Sequence, residues 1–252
     1  MIFKTEAIIL KSIKFGESSK IITFFTKDFG KISVIAKGSR KLKTKFGSSL
    51  EVMSQSSVII HKKDSRKLQI ISESSNIFFF PEIRNNLEKL LIAFSILEIV
   101  AKTTHEEEKN EPLFNLISNT LKNLDSSTNE TIFTIFILFQ FEYAKINGFE
   151  IQFENCTSCK NEIKFLDKKI FFDYKNGGSI CLNCKQQNSA LFEIETETFV
   201  KLKTLIDYNF NKTMFQKTDF QKFQKFLDIY FKFHFDKHNL NFSNTMFNKI
   251  YE

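Results

Sequence analysis

A chain of 252 residues and 29.6 kDa, 42% hydrophobic and 26% charged, has the make-up of a folded protein of one to three domains, which excludes wholesale disorder. Seven glycines and two prolines exclude collagen-like and mucin-like chains, and the longest apolar runs, 90–101 and 132–139, fall short of the roughly 18 residues of a membrane span. The formal charge of +7 is unevenly placed: residues 1–80 hold 15 basic and 6 acidic side chains, a net of +9, and residues 81–252 carry −2. Such asymmetry predicts a polyanion-binding module joined to a near-neutral body. A lysine-rich surface that merely aids solubility is the alternative. Among 36 lysines and arginines only Arg40, Arg66 and Arg84 are arginine, and they stand beside 32 phenylalanines. This bias fits AT-rich coding, so neither Lys nor Phe marks a site by itself. Residues 1–6 lack a basic segment leading into an apolar one, so no secretory signal is expected, and the expected compartment is the cytoplasm, in association with the nucleoid.

In chain order, short β-rich runs fall at 5–13, 20–26, 31–37, 51–61 and 66–74, separated by Phe15-Gly16-Glu17-Ser18, Asp28-Phe29-Gly30 and Lys62-Lys63-Asp64-Ser65. Five strands in this span predict a small barrel of the OB-fold type, with an SH3-like barrel left open. Pro81 suits the first turn of a helix, and Ile83, Leu87, Leu90, Leu91, Phe94 and Leu97 continue at helical spacing. Pro112 opens a second helix through Leu124. Thr128 or Asn129 is placed to cap a third, apolar almost all round, that ends at Asn147-Gly148. Residues 195–208 and 218–238 regain helical spacing. The expected organisation is α+β multidomain: an OB-fold β-barrel over 1–80, an α-helical domain over 81–150 and 191–252, and a four-cysteine insertion over 151–190.

All four cysteines fall in two pairs, Cys156-Thr157-Ser158-Cys159 and Cys181-Leu182-Asn183-Cys184, with 21 residues between them. A two-residue gap lets one turn present two thiolates to a single ion, and two such turns complete the tetrahedron that Zn²⁺ prefers. Strands at 162–166 and 169–172, turning at Asp167-Lys168, and a bend at Gly177-Gly178 would lay this out as a zinc ribbon holding one structural ion. Disulfides are disfavoured in a cytoplasmic protein, and a thioredoxin-like site would use a single pair. His105-Glu106-Glu107 matches the H-x-E of zinc deaminases, but Ile180 stands where that motif needs proline and the first cysteine pair would be idle. His234 and His238, four apart, lack a third neighbouring ligand.

Lys37, Arg40, Lys41, Lys43 and Lys45 place five cations in nine residues without an acid. A cationic loop beside a barrel can track a phosphate backbone while aromatics stack bases, and Phe15 and Phe46 are the aromatics at hand, although core packing accounts for either. A solvated hairpin tip is the alternative reading of the charge run.

The ordered series Ala7-Ile8-Ile9-Leu10-Lys11-Ser12, Phe15-Gly16-Glu17-Ser18-Ser19-Lys20-Ile21-Ile22-Thr23-Phe24-Phe25-Thr26-Lys27, Gly30-Lys31 and Ala36-Lys37-Gly38-Ser39-Arg40-Lys41 resembles the N-terminal signature of the bacterial RecO family. The resemblance continues through Asn147-Gly148-Phe149, the first cysteine pair, Gly177-Gly178 and the second pair. It implies a recombination mediator without enzymatic activity, which binds single- and double-stranded DNA, anneals complementary strands and acts with RecR. It further implies engagement of the acidic C-terminal tail of single-stranded-DNA-binding protein and, with RecR, help in loading RecA. The implied tail site lies in the helical body, where Lys201, Lys203, Lys222 and Lys225 are candidate rim cations. Some family members lack the cysteines, so the resemblance makes the zinc a support for folding. Two rivals stand beside it: a ligase-like enzyme, which would need a Lys-x-Asp-Gly motif that the sequence lacks, and an RNA-binding or transcription-associated zinc-ribbon protein.

Overall fold

Alternating apolar residues at the N terminus build five strands: β1 (Ile2–Phe15), β2 (Ser19–Thr26), β3 (Gly30–Ala36), β4 (Gln55–His61) and β5 (Leu68–Phe78). The computed structural model describes residues 1–164, 168–185, 191–207 and 217–235. The strands close into a barrel of order β1-β2-β3-β5-β4. β1 is long enough to serve two neighbours, pairing with β4 from Ile2 to Ile8 and with β2 from Ala7 to Phe15, with a bulge between Ile9 and Lys11. A parallel β3–β5 pair completes the closure. This is the OB-fold arrangement, not the simple meander of an SH3-like barrel. Ala7, Ile9, Ile22, Phe24, Val34 and Ile60 fill the interior, and closure leaves no strand edge to aggregate.

Three helices belong to the same compact unit, Met1–Ser127: α1 (Pro81–Asn85), α2 (Leu87–Thr103) and α3 (Glu111–Ser126). The single helix expected from Pro81 is two. Asn86 is extended (φ −123°) and its side chain accepts from Lys89 N, so it ends α1 and caps α2. Asn110 caps α3 in the same way, accepting from Leu113 N at 2.9 Å. Buried lysines close the other ends. Lys89 Nζ donates to Asp125 O and Ser127 O at the end of α3 (2.9 and 2.7 Å), and Lys31 Nζ, from β3, donates to Ala101 O and Thr104 O at the end of α2 (2.9 and 2.5 Å). Each supplies donors to carbonyls that a helix terminus leaves unpaired. Gly30 lies beside Lys31 at φ +65°, where a Cβ would stand 1.8 Å from Glu108 O, so only glycine fits between β3 and that segment.

The second unit, Thr128–Glu252, begins with α4 (Ile132–Ile146), which is buried on nearly every side. Its N-cap position is Thr131, without a side-chain cap bond, so the helix opens later than Thr128 or Asn129 would have set it. It ends as expected at Gly148, φ +82°. Next come β6 (Lys169–Asp173), β7 (Gly178–Ile180), the single turn α5 (Leu182–Lys185), β8 (Leu191–Glu195), α6 (Thr196–Asp207) and α7 (Lys217–Phe235). The sheet order is β7-β6-β8. The expected strand at 162–166 is absent among its described residues, where Glu162 makes only an isolated bridge to Asn155. Asp167, Tyr208 and His238 lie outside the described residues. Interlocked rings join sheet and helices: Phe172 meets Phe226 edge-on at 4.8 Å and Phe153 meets Phe199 at 5.0 Å. Within this apolar packing Gln140 and Gln224 exchange amide hydrogen bonds of 3.0 and 3.2 Å, which satisfies two buried polar groups at once.

Candidate nucleic-acid interface and metal centre

Residues 37–54 form an irregular connection between β3 and β4, and all five predicted contact residues, Lys37, Arg40, Lys41, Lys43 and Lys45, are exposed on it. Its root is fixed. Ser39 Oγ donates to Ala36 O (2.8 Å), Arg40 N to Ser18 O (2.9 Å) and Arg40 Nη1 to Gly16 O (3.0 Å), which ties the loop to the β1–β2 turn. At its far end Phe46 is buried in the barrel core, with Lys45 Nζ 5.4 Å from its ring centroid. Phe46 therefore anchors the loop and is unavailable for stacking, whereas Phe15 is 48% exposed. Among the described residues none of the five cations pairs with a carboxylate. Other barrel cations do: Lys20 meets Glu51 at 3.0 Å, Lys62 meets Asp64 and Glu107 at 3.1 and 3.0 Å, and Lys27 meets Glu111 at 3.4 Å. The connection after β3 thus holds five exposed cations in nine residues with no carboxylate partner among the described residues.

Further cations were not singled out from the sequence. Lys11 and Lys14 are exposed on β1, and Lys63, Arg66 and Lys67 on the β4–β5 turn. The first two are hidden in an alternating strand pattern, and the others are interrupted by Asp64. The candidate rim cations of the helical body fare differently. Lys201 pairs with Asp219 and Glu197 (2.9 and 3.0 Å), Lys203 with Glu154 (3.3 Å) and Lys222 with Glu195 (2.6 Å), leaving Lys225 as the one of the four without an ion pair among the described residues.

The four cysteines converge, with all Sγ atoms within 4.8 Å of one another and Cys159 Sγ 3.7 Å from Cys181 Sγ. All are free thiols. A tetrahedron of metal–thiolate bonds of about 2.3 Å has edges of roughly 3.8 Å, so the donor set fits one four-coordinate ion. Each pair rides on a tight turn. Lys160 N donates to Cys156 O (2.9 Å) with Lys160 at φ +64°, and Cys184 N donates to Cys181 O (3.1 Å) as α5 begins. Cys181 N points at Cys156 Sγ (3.4 Å). Burial raises the Cys156 thiol, but the backbone N–H groups of Cys159, Cys181 and Ser158 outweigh it and bring it down to about 6. Cys184 is pushed up to about 12, first by its hydrogen bond to Cys181. A fourth negative charge is unwelcome among clustered sulfurs unless a cation sits between them.

The other metal candidates dissolve into packing. Glu106 lies near Lys31 (3.9 Å) and Glu107 pairs with Lys62, so His105-Glu106-Glu107 is part of the barrel's ion pairing. His234 Nε2 contacts Tyr174 O at 2.7 Å, and its ring packs on Phe149 and Tyr230 at 4.6 and 4.4 Å.

Comparison with known families places these features. Residues 1–80 match the family described as Recombination protein O N terminal, and residues 84–241 match Recombination protein O C terminal. The chain belongs to the RecO family. A DNA repair protein RecO of Chloroherpeton thalassium is 30% identical, with 99% of each chain covered. One from Caldicellulosiruptor saccharolyticus is 30% identical over 91% of this chain and 98% of its own. One from Thermodesulfovibrio yellowstonii is 35% identical over 73% and 70%. The RecO N-terminal match ends where the barrel ends, and the C-terminal match takes in all the helices from α2 to α7 and the four cysteines.

Proposed function

We propose that the chain is a DNA repair and recombination mediator that binds single- and double-stranded DNA and anneals complementary strands, without catalysing a covalent step. The observation that carries this reading is the set of five exposed cations on a fixed loop, free of carboxylate partners among the described residues, on the barrel of a RecO-family chain. In this role Lys37, Arg40, Lys41, Lys43 and Lys45 neutralise phosphates on two strands, lowering their mutual repulsion so that bases can pair. Family membership supports the remaining parts of the role: action with RecR, engagement of the acidic tail of single-stranded-DNA-binding protein, and help in loading RecA onto coated strands.

The ion is read as one structural Zn²⁺ per chain, since four thiolates leave no open coordination position for a substrate or an activated water. Zinc supplies a cross-link between the two cysteine turns. Cys156, Cys159, Cys181 and Cys184 hold it, and the surrounding N–H groups keep the thiolates oriented.

Strand annealing of complementary oligonucleotides, measured with and without single-stranded-DNA-binding protein, tests the function directly. Annealing above the spontaneous rate that persists on coated strands is expected. A chain that binds RNA in preference to DNA of the same sequence, or that forms a covalent nucleotide adduct, would refute it.

A further inference from the structure

A metal that serves only to brace a fold needs four sulfurs held out of reach, and the cysteine cluster does not meet that condition. Cys156 is buried, Cys181 and Cys184 are half-buried, and Cys159 is exposed. The residue after Cys159, Lys160, is an exposed cation. Cys181 belongs to the wall of an open cavity of about 400 Å³, with Asn161, Ile163, Phe171 and Leu182, so a small solute has room to approach the second cysteine turn. Cys159 Sγ and Cys181 Sγ, one from each turn, stand 3.7 Å apart. Reactive cysteines are partly exposed and lie near positive charge, whereas buried structural ones are inert. By that measure Cys156 is structural and Cys159 is reactive.

We infer that Cys159 is an oxidant-sensitive modification site, at which hydrogen peroxide starts a two-step oxidation that ends in a Cys159–Cys181 disulfide and releases the ion. A metal-bound sulfur is a thiolate, the form that attacks oxidants. In the first step Cys159 Sγ attacks the peroxide: an S–O bond forms, the O–O bond breaks, hydroxide leaves and the sulfur becomes a sulfenic acid. In the second, Cys181 Sγ attacks Cys159 Sγ: the S–S bond forms, the S–O bond breaks and a second hydroxide leaves. Two thiolates give up two electrons and the peroxide takes them. Two of the four ligands are then lost, while the new bond joins the same two turns that the ion joined. Oxidation that stops at a disulfide is reversible, so thiol reductant and zinc restore the site. The inference rests on the structural-zinc reading and adds a chemical response to it.

Two measurements on the full, zinc-loaded chain test it. Hydrogen peroxide is added in the presence of a chromogenic chelator that reports free zinc, and the disulfides are then mapped by mass spectrometry of unreduced peptides after alkylation. One zinc should be released for each disulfide formed, the bond should join Cys159 to Cys181, and Cys156 and Cys184 should remain open to alkylation once the chain is unfolded. Dithiothreitol and zinc should reverse the change. A bond between any other pair, or an ion that stays bound while its thiols are oxidised, overturns the inference. Cys159→His keeps a ligand that zinc accepts and removes the exposed sulfur. It should slow peroxide-driven release several-fold, and an unchanged rate overturns the inference. If that variant does not take up zinc, the disulfide map of the unaltered chain decides alone. Protein that holds no zinc before peroxide is added removes the metal reading and the inference together, whereas loaded protein that keeps its ion and its four thiols removes the inference only.

Discussion

His234 shows how much one side chain can be asked to do. It is half-buried against Phe149 and Tyr230, and burial lowers its affinity for a proton below the ordinary value of 6.5, partly offset by its contact with Tyr174 O. The unfolded chain therefore binds this proton more readily than the folded one, so the stability His234 contributes is complete above about pH 6.5 and is lost as pH falls through the lower, folded-state value. Chemical denaturation between pH 7 and pH 5 should show a falling midpoint, and His234→Gln should flatten the fall in that window. At the same scale the sequence was informative where chemistry is local. The cysteine pairs and the 37–45 cation run stand out because spacing and charge are visible in one dimension. The neutralisation of Lys201, Lys203 and Lys222 was not legible, because their partners Asp219, Glu154 and Glu195 are brought to them only by folding.

Elements were legible where the period was clean. Five strands and the Pro112 helix were expected and found, and Gly148 ends α4 as its backbone freedom suggests. Asn86 was missed as a break, since the apolar spacing on either side of it continues unbroken while its amide side chain prefers the cap. β8 was missed because Leu191–Glu195 is a short run whose pairing with β6 comes from outside itself. Lys31 offers the element-scale prediction. Lys31→Met would keep the aliphatic stem and leave Ala101 O and Thr104 O without their donor, at a cost of about 1–3 kcal/mol. Thermal unfolding should register the loss. Gly30→Ala should be destabilising as well, since the added methyl meets Glu108 O and takes a positive φ.

For the whole molecule, the uneven placement of charge is the property that reaches function. If the five loop cations meet about five phosphates, single-strand affinity should fall with salt at a log–log slope near −3.5, and replacing all five with Ala should flatten it. An unchanged slope would falsify the assignment of the loop. Purified protein should carry one equivalent of zinc, and Cys156→Ser or Cys181→Ser should lose it and lower stability while leaving the barrel's duplex binding in place. Metal analysis and anisotropy check the two halves separately.

β8 runs straight into α6, Glu195 closing the strand and Thr196 opening the helix. A braced path thus leads from the second cysteine turn to Phe199 through paired strands: β7, which adjoins Cys181, is stitched to β6, β6 to β8, and β8 is continuous with α6. An ion at the thiolates acts as a rivet at one end of this girder, and extracting it with a chelator should quicken amide exchange in α6 before it does so in β1 or β3.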